Sequence, residues 1–111
     1  MTRDRLINLW GVMESKIERE FNPQETLQVL TYNKPIWWSW GVRQKSIKNF
    51  DNRCLVFRVK GQKFRGYVCI ILGWEDLYHI HYVTDTFEFK HSVEGVYFDM
   101  LVDVIDGYIE T

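Results

Sequence analysis

Hydrophobic residues near the start of the chain recur with the helical period of about 3.6 residues. They are Leu6, Leu9, Trp10, Met13, Ile17 and Phe21. The pattern predicts a long amphipathic first helix, which Asn22-Pro23 ends. Asn22 then suits the N-cap of a second, short helix with Pro23 at its first position. That helix ends at 33–35, because a residue before proline avoids the helical conformation.

From residue 36 onward, apolar and polar side chains alternate as they do in β-strands. The alternation predicts strands over 36–42, 55–60, 67–72, 78–82 and 87–90, with turns at 49–53, Gly61-Gln62 and 73–76. The strand 67–72 is apolar on both faces, which is typical of a central strand. Helical spacing returns at Tyr97, Leu101, Val104, Ile105 and Tyr108 and predicts a closing helix.

This order of elements predicts the α+β class: an antiparallel β-meander of four or five strands, with N-terminal helices and a C-terminal helix packed on the sheet. The 111 residues fit one domain, and the 46% hydrophobic content argues against intrinsic disorder. We expect residues 23–111 to form the α+β core and residues 1–22 an N-terminal helical extension. The first helix packs either on its own sheet or on a second chain, as the contact of a homo-oligomer.

Charge is distributed unevenly, although the net charge is only −1. Residues 41–68 carry eight basic side chains against Asp51 alone, and residues 93–111 carry five acidic side chains and no basic one. A two-residue turn at Gly61-Gln62 would place like charges opposite each other across the ladder, which destabilises a hairpin. Either a longer loop relieves this repulsion, which is our expectation, or the basic tip is kept for an anionic partner.

Two surfaces are candidates for binding. The first is either the basic hairpin or the tryptophans expected to be exposed. The basic residues are Arg43, Lys45, Lys48, Arg58, Lys60, Lys63 and Arg65, and the tryptophans are Trp37, Trp40 and Trp74. The second is the acidic face of the closing helix: Asp99, Asp103, Asp106 and Glu110. This acidic face is either a solvated helix surface or a mimic of phosphates that occupies the basic groove of a nucleic-acid-binding protein.

Catalytic and metal chemistry find little support in the sequence. A five-residue loop after Leu72 would place Cys54, Cys69, His79 and His81 on one face of the sheet. The paired short spacings of structural zinc sites are absent, so we expect no metal. Cys69 with His81 lacks an oxyanion hole, and no glycine-rich phosphate loop opens a helix. We therefore predict no catalytic residue, no cofactor and no enzymatic activity.

The expected location is the cytoplasm, without a membrane partner. Two cysteines are too few for a disulfide scaffold. No signal-peptide pattern and no apolar run of membrane-spanning length is present.

Two segments carry a resemblance to known proteins: the strand and turn from Val68 to Tyr78, and Gly95-Val96-Tyr97 at the predicted start of the closing helix. Together they resemble a loose group of small bacterial and phage or mobile-element proteins, over residues 26–106. This chain lacks the turn asparagine of that group and adds the long first helix. The resemblance implies an accessory protein of a phage or mobile element and assigns no catalytic residue.

We predict a non-enzymatic accessory protein that acts by protein binding, as an inhibitor or regulator. The alternative is a nucleic-acid-binding protein that uses the basic hairpin 41–68, in which aromatic residues are interleaved. The order helix, three strands, helix also resembles the double-stranded RNA-binding module. The terminal helix of that module is basic, whereas the closing helix of this chain is acidic.

Overall fold

The computed structural model describes residues 3–110, with side chains from residue 7 onward, so the side chain of Leu6 lies outside the described part. The helices are α1 (Arg3–Met13), α2 (Pro23–Tyr32), α3 (Lys34–Ser39) and α4 (Leu101–Ile109). The strands are β1 (Lys48–Phe50), β2 (Cys54–Lys60), β3 (Arg65–Leu72), β4 (Tyr78–Val83) and β5 (Phe89–Val96). The α+β class predicted from the sequence is confirmed.

The five strands form one antiparallel meander in sequence order, with β3 at its centre as predicted. Leu72 pairs with Tyr78 and Ile70 with Ile80, so the five-residue loop between β3 and β4 is also confirmed. Two short 3₁₀ turns, Gln44–Ser46 and Phe98–Met100, precede β1 and α4.

The predicted two-residue turn between β2 and β3 is wrong. The connection runs from Gly61 to Phe64, and Lys60 pairs with Arg65. Phe64 is drawn into the connection because its ring packs on Tyr82, with ring centroids 5.5 Å apart. The longer loop moves Arg65 away from Arg58, which now lies opposite Tyr67, and so relieves part of the expected repulsion.

Residues 36–42 do not form the predicted strand, since α3 occupies most of this segment. The side chain of Asn33 caps α3 by accepting a hydrogen bond from the backbone N–H of Ile36 at 3.3 Å. Trp37 and Trp40, three positions apart, both face the core. A short aromatic run satisfies the strand pattern and the helix pattern equally well, and here burial on one helix face prevails.

The first helix ends at Met13, eight residues before the predicted end at Phe21. The chain beyond it runs past the end of the sheet, where the N–H of Arg19 donates to the carbonyl of Leu72 and the N–H of Phe21 to that of Asn52. Residues 14–16 form a turn, and because the backbone groups of Arg19 and Phe21 find partners in the sheet and its turns, the hydrophobic stripe leaves the helical conformation before Phe21.

The ends of other elements also differ from the sequence pattern. Residues 48–50 pair with β2 as strand β1, so the turn covers only residues 51–53 and is shorter than the predicted 49–53. Strand β5 begins at Phe89 and runs to Val96, past the predicted end at residue 90. The closing helix therefore begins at Leu101, after the Gly95-Val96-Tyr97 segment, because the buried Val96 pairs with Tyr78 of β4.

Helices cover both faces of the sheet. The larger core lies between one face and helices α2, α3 and α4. The second core lies under α1, whose Leu9 and Met13 are fully buried and whose Trp10 packs edge-to-face on Phe50. The first helix thus packs on the sheet of its own chain.

Candidate functional site

An open groove of about 480 Å³ lies between α2 and the turn Phe98–Met100. It is lined by Glu25, Gln28, Val29, Tyr32, Phe98 and Asp99. The aromatic and aliphatic side chains form an apolar surface, and carboxylates stand on both walls. We call this feature the α2 groove.

Helix α2 presents two stripes, and the outer one forms a wall of the α2 groove. The side chain of Asn22 fixes the start of the helix by accepting hydrogen bonds from Gln24 N at 3.1 Å and Glu25 N at 3.3 Å, as predicted. Thr26 and Leu30 face the core and are fully buried. Positions 25, 28, 29 and 32 follow the helical spacing and line the groove.

The opposite wall is held by an aromatic contact. Phe98 packs against the buried Tyr78, with ring centroids 5.9 Å apart. The flanking residues Tyr97 and Met100 are 59% and 47% exposed, and Tyr32 across the groove is 91% exposed. Exposed apolar side chains grouped around a concave surface are typical of a protein interaction site.

The predicted acidic face divides into two parts. Asp99 and Asp103 are exposed. Asp106 instead accepts a hydrogen bond of 2.9 Å from the indole N–H of Trp40. One carboxylate oxygen of Glu110 is buried with no hydrogen-bond partner among the described residues. Only the first two carboxylates therefore present a free acidic surface.

The basic hairpin tip meets the acidic closing helix. The backbone N–H of Lys63 donates a 2.7 Å hydrogen bond to the carbonyl of Ile109, in the last turn of α4. The Cα of Gly61 packs so closely on Ile109 that a side chain there would overlap it. Positive charge near a helix C-terminus is favourable, so part of the basic tip has a structural role.

Among the predicted basic residues, Arg58 has a carboxylate partner. Its Nε and Nη2 donate to the two carboxylate oxygens of Asp85 at 3.0 and 2.8 Å, and this hydrogen bonding raises the pKa of Arg58. The other six side chains form no ion pair within 4.0 Å in the part of the chain whose side chains are described. They are Arg43, Lys45, Lys48, Lys60, Lys63 and Arg65.

The expectation that Trp37 and Trp40 are exposed is wrong. Both are buried against Phe57, at centroid distances of 5.3 and 6.4 Å, because they share the inner side of α3. Trp74 is 71% exposed, as expected. Trp38 is 68% exposed and was not among the sequence candidates. Trp38 lies on the outer side of α3 only because this segment is a helix, whereas the sequence pattern predicted a strand.

The sequence candidates Cys54, Cys69, His79 and His81 lie on the sheet face under α1, where Cys69 pairs in register with His81. Burial and the hydrogen bond with Cys54 raise the pKa of the Cys69 thiol, which disfavours the nucleophilic thiolate. Burial lowers the pKa of His81 to about 4, and its Nδ1 lies 2.7 Å from Ser92 Oγ. Within the described residues, no group of three or more such side chains could hold a metal ion.

His79, by contrast, lies between two carboxylates at the end of the sheet. Its Nε2 contacts Glu75, which lowers the pKa of that carboxyl, and its Nδ1 lies 3.6 Å from Glu18. Glu18 also accepts a hydrogen bond from the backbone N–H of Trp74 at 3.3 Å. These contacts fasten the segment after α1 to the β3–β4 loop.

The fold defines a class: an α+β domain in which helices cover both faces of a five-stranded antiparallel meander. None of its described helices is long and apolar enough to cross a bilayer. Comparison with protein-family models, curated proteins and solved structures finds no match to this chain.

Proposed function

We propose that this chain is a non-enzymatic protein that acts by binding another protein, and that the α2 groove is its binding site. The observation that carries the proposal is the groove itself: a concave apolar surface beside a tyrosine that is 91% exposed. Tyrosine and phenylalanine are enriched at the centres of protein interfaces, where their rings supply a large contact area.

The rim of the α2 groove indicates the chemistry of the partner. Glu25 and Asp99 stand on opposite walls, and Asp103 is exposed one helical turn beyond Asp99. These carboxylates repel phosphates and attract lysine or arginine. The complementary partner is a protein segment that inserts one apolar side chain into the groove and places basic side chains at its rim.

Two further considerations support a binding role. Cys69 is fully buried and its thiol pKa is raised, so the nucleophile considered from the sequence is poorly suited to catalysis. The resemblance to small phage or mobile-element proteins favours a role as an inhibitor or regulator of the partner. That origin and that role remain predictions.

The proposal can be tested by selecting peptides from a randomised library against the whole protein and mapping their binding by amide chemical shifts. We expect selected peptides to combine apolar and basic residues and to perturb the amides of Val29 and Asp99. Tyr32→Ala and Val29→Arg should each weaken binding by at least about tenfold. Trp74→Ala removes another exposed aromatic side chain, which lies outside the groove, and should leave binding unchanged.

The proposal fails if no peptide is selected, or if the selected peptides bind away from α2. It also fails if Trp74→Ala weakens binding as much as Tyr32→Ala does. Replacing Glu25 and Asp99 by glutamine and asparagine tests the rim separately. These changes should reduce the preference for basic peptides while leaving the apolar contact in place.

A further inference from the structure

Six basic side chains lie along the β1–β2 side of the sheet and around the β2–β3 hairpin. They are Arg43, Lys45, Lys48, Lys60, Lys63 and Arg65, and we call them the basic edge. None forms an ion pair within 4.0 Å in residues 7–110, and all are at least partly exposed. Arg58 is excluded from this set because Asp85 neutralises it.

The fold holds this edge in place through backbone hydrogen bonds. The segment 40–43 runs beside β2, with the N–H of Arg43 donating to the carbonyl of Arg58 at 3.1 Å and that of Lys60 to the carbonyl of Trp40 at 2.8 Å. The hydroxyl of Ser46 accepts from the N–H of Arg58 at 2.8 Å and donates to the carbonyl of Arg43 at 2.5 Å. The basic residues therefore stand on an ordered surface.

Like charges remain adjacent within this edge. Lys60 and Arg65 are directly opposite each other in the β2–β3 ladder, with Lys63 in the connection between them. Such a pair opposes folding. The helix C-terminus that Lys63 contacts adds a partial negative charge, and Glu110 at its C-cap adds a carboxylate, but Glu110 forms no ion pair within 4.0 Å with these basic side chains in residues 7–110. An anionic ligand would relieve this repulsion.

An exposed aromatic side chain stands at the same edge. The carbonyl of Trp38 accepts a hydrogen bond of 3.1 Å from the N–H of Gly41, and Gly41 packs against Lys60. Trp38 itself is 68% exposed. A solvent-facing indole on the helix end that adjoins Lys60 offers a stacking surface for an unpaired base.

A cleft of about 220 Å³ opens between α2 and β1, further along the edge. Leu27, Ile47 and Leu55 give it apolar walls. Lys48 and Gln24 also line it, together with Asn49, whose carboxamide is hydrogen-bonded to Asn52. The combination provides an apolar contact, polar side chains and a cation, which together suit a base with its attached phosphate.

We infer that the basic edge and Trp38 bind single-stranded nucleic acid, with phosphates on the cations and a base stacked on the indole. A duplex hides the faces of its bases and would leave Trp38 unused. The inference does not depend on the α2 groove. A chain with both surfaces would join a protein partner to a nucleic acid.

The test is fluorescence anisotropy with labelled oligo(dT) and oligo(U) of about 12 nucleotides and with a duplex of equal length. Single strands should bind at low salt, and the slope of log K against log salt should be about −0.7 for each phosphate contact. Comparing oligo(dT) with oligo(U) shows whether DNA or RNA is preferred. Trp38→Ala should weaken binding roughly tenfold, as expected for loss of one stacked base.

The electrostatic part is tested by the double charge reversal Arg43→Glu/Lys45→Glu. It should weaken binding at least about tenfold and make the salt slope shallower. The matched control is Lys16→Glu/Lys90→Glu, an equal change of charge at β5, the opposite edge of the sheet. This control and Trp74→Ala should both retain binding. Thermal melts show whether each variant folds.

Four results would overturn the inference. The first two are the absence of binding at low salt and tighter binding of the duplex than of the single strands. The third is an equal loss of affinity in the variants and in their controls. The fourth is binding that Trp38→Ala does not weaken and that poly-glutamate competes away. The last result would assign the edge to an acidic protein. Tyr32→Ala should leave oligonucleotide binding unchanged, which separates this test from that of the α2 groove.

Discussion

The indole Nε1 of Trp40 donates a 2.9 Å hydrogen bond to Oδ1 of Asp106, joining the end of α3 to α4. Trp40 is fully buried and stacks on Phe57 of the sheet. Both members of the pair were candidates for binding on sequence grounds, one as an exposed aromatic and the other as part of an acidic face. The hydrogen bond gives each a structural role instead.

Asp106→Ala should destabilise the fold by about 1–3 kcal/mol, because it leaves the buried indole N–H without an acceptor. Asp106→Asn retains a side-chain oxygen and should lose much less. Urea unfolding measures both values. Equal losses for the two variants would show that the hydrogen bond does not stabilise the contact.

Gly61→Ala should destabilise the protein by about 2 kcal/mol or more, through overpacking at the junction of hairpin and helix. A Cβ at this position would overlap the side chain of Ile109 and lie 2.9 Å from its carbonyl oxygen. The control is Gly11→Ala on α1, where nothing lies within 4 Å. That change should stabilise by up to about 1 kcal/mol. Similar thermal shifts for both variants would contradict the close contact.

Ser46→Ala should cost about 1–3 kcal/mol and remove hydrogen-exchange protection from the backbone amide of Arg58, which loses its acceptor. Ser39→Ala is the matched control. The Ser39 hydroxyl donates to a carbonyl on an exposed helix face and accepts from no backbone N–H among the described residues. Unchanged protection at Arg58 in the Ser46 variant would show that another group accepts this hydrogen bond.

Tyr82→Phe should be neutral or stabilising by about 1 kcal/mol. The hydroxyl of Tyr82 is buried with no hydrogen-bond partner among the described residues, and burial raises its pKa. Removing an unsatisfied polar group relieves a desolvation cost. The ring of Tyr108 is half-buried, and its centroid lies 4.2 Å from that of Tyr82. Tyr108→Phe should therefore change the stability of the protein little. A clear loss of stability in the Tyr82 variant would mean that its hydroxyl is satisfied.

Protein stability should fall as the pH drops from 6.5 towards 4, in part because of His81. Burial lowers its folded pKa from 6.5 to about 4, so in this interval the unfolded chain binds more protons than the folded one. Once the pH lies below both pKa values, this pKa difference lowers the free energy of unfolding by about 3 kcal/mol. The charged neighbours Lys16, His79 and Glu94 modulate the shift.

The replacement His81→Leu tests this assignment, with urea unfolding measured across the same pH interval. The variant should lose the His81 share of the pH dependence. His91→Gln, at an exposed position on β5, should keep it. If His81→Leu unfolds with the same pH dependence as the wild type, the buried imidazole is not the responsible group.

Local patterns in the sequence were sufficient for much of the fold. Alternation and turn residues predicted strands β2, β3 and β4 and the pairing of Leu72 with Tyr78, because these are local signals. The register of β2 on β3 was predicted wrongly, because it depends on the packing of Phe64 against Tyr82. The cap formed by Asn22 and Pro23 marked the start of α2 for the same reason. The uneven distribution of charge was also visible in the sequence alone.

Tertiary structure decided which side chains are available for binding. Arg58 is neutralised by Asp85, which lies 27 positions away in the sequence. Asp106 accepts a hydrogen bond from Trp40, 66 positions away, so sequence spacing could not reveal either partner. The exposure of Trp38 depends on a helix where the pattern also allowed a strand. The α2 groove exists only because two distant segments pack side by side. Pairing and burial between residues far apart in the chain are set by the whole packed core, which no local pattern contains.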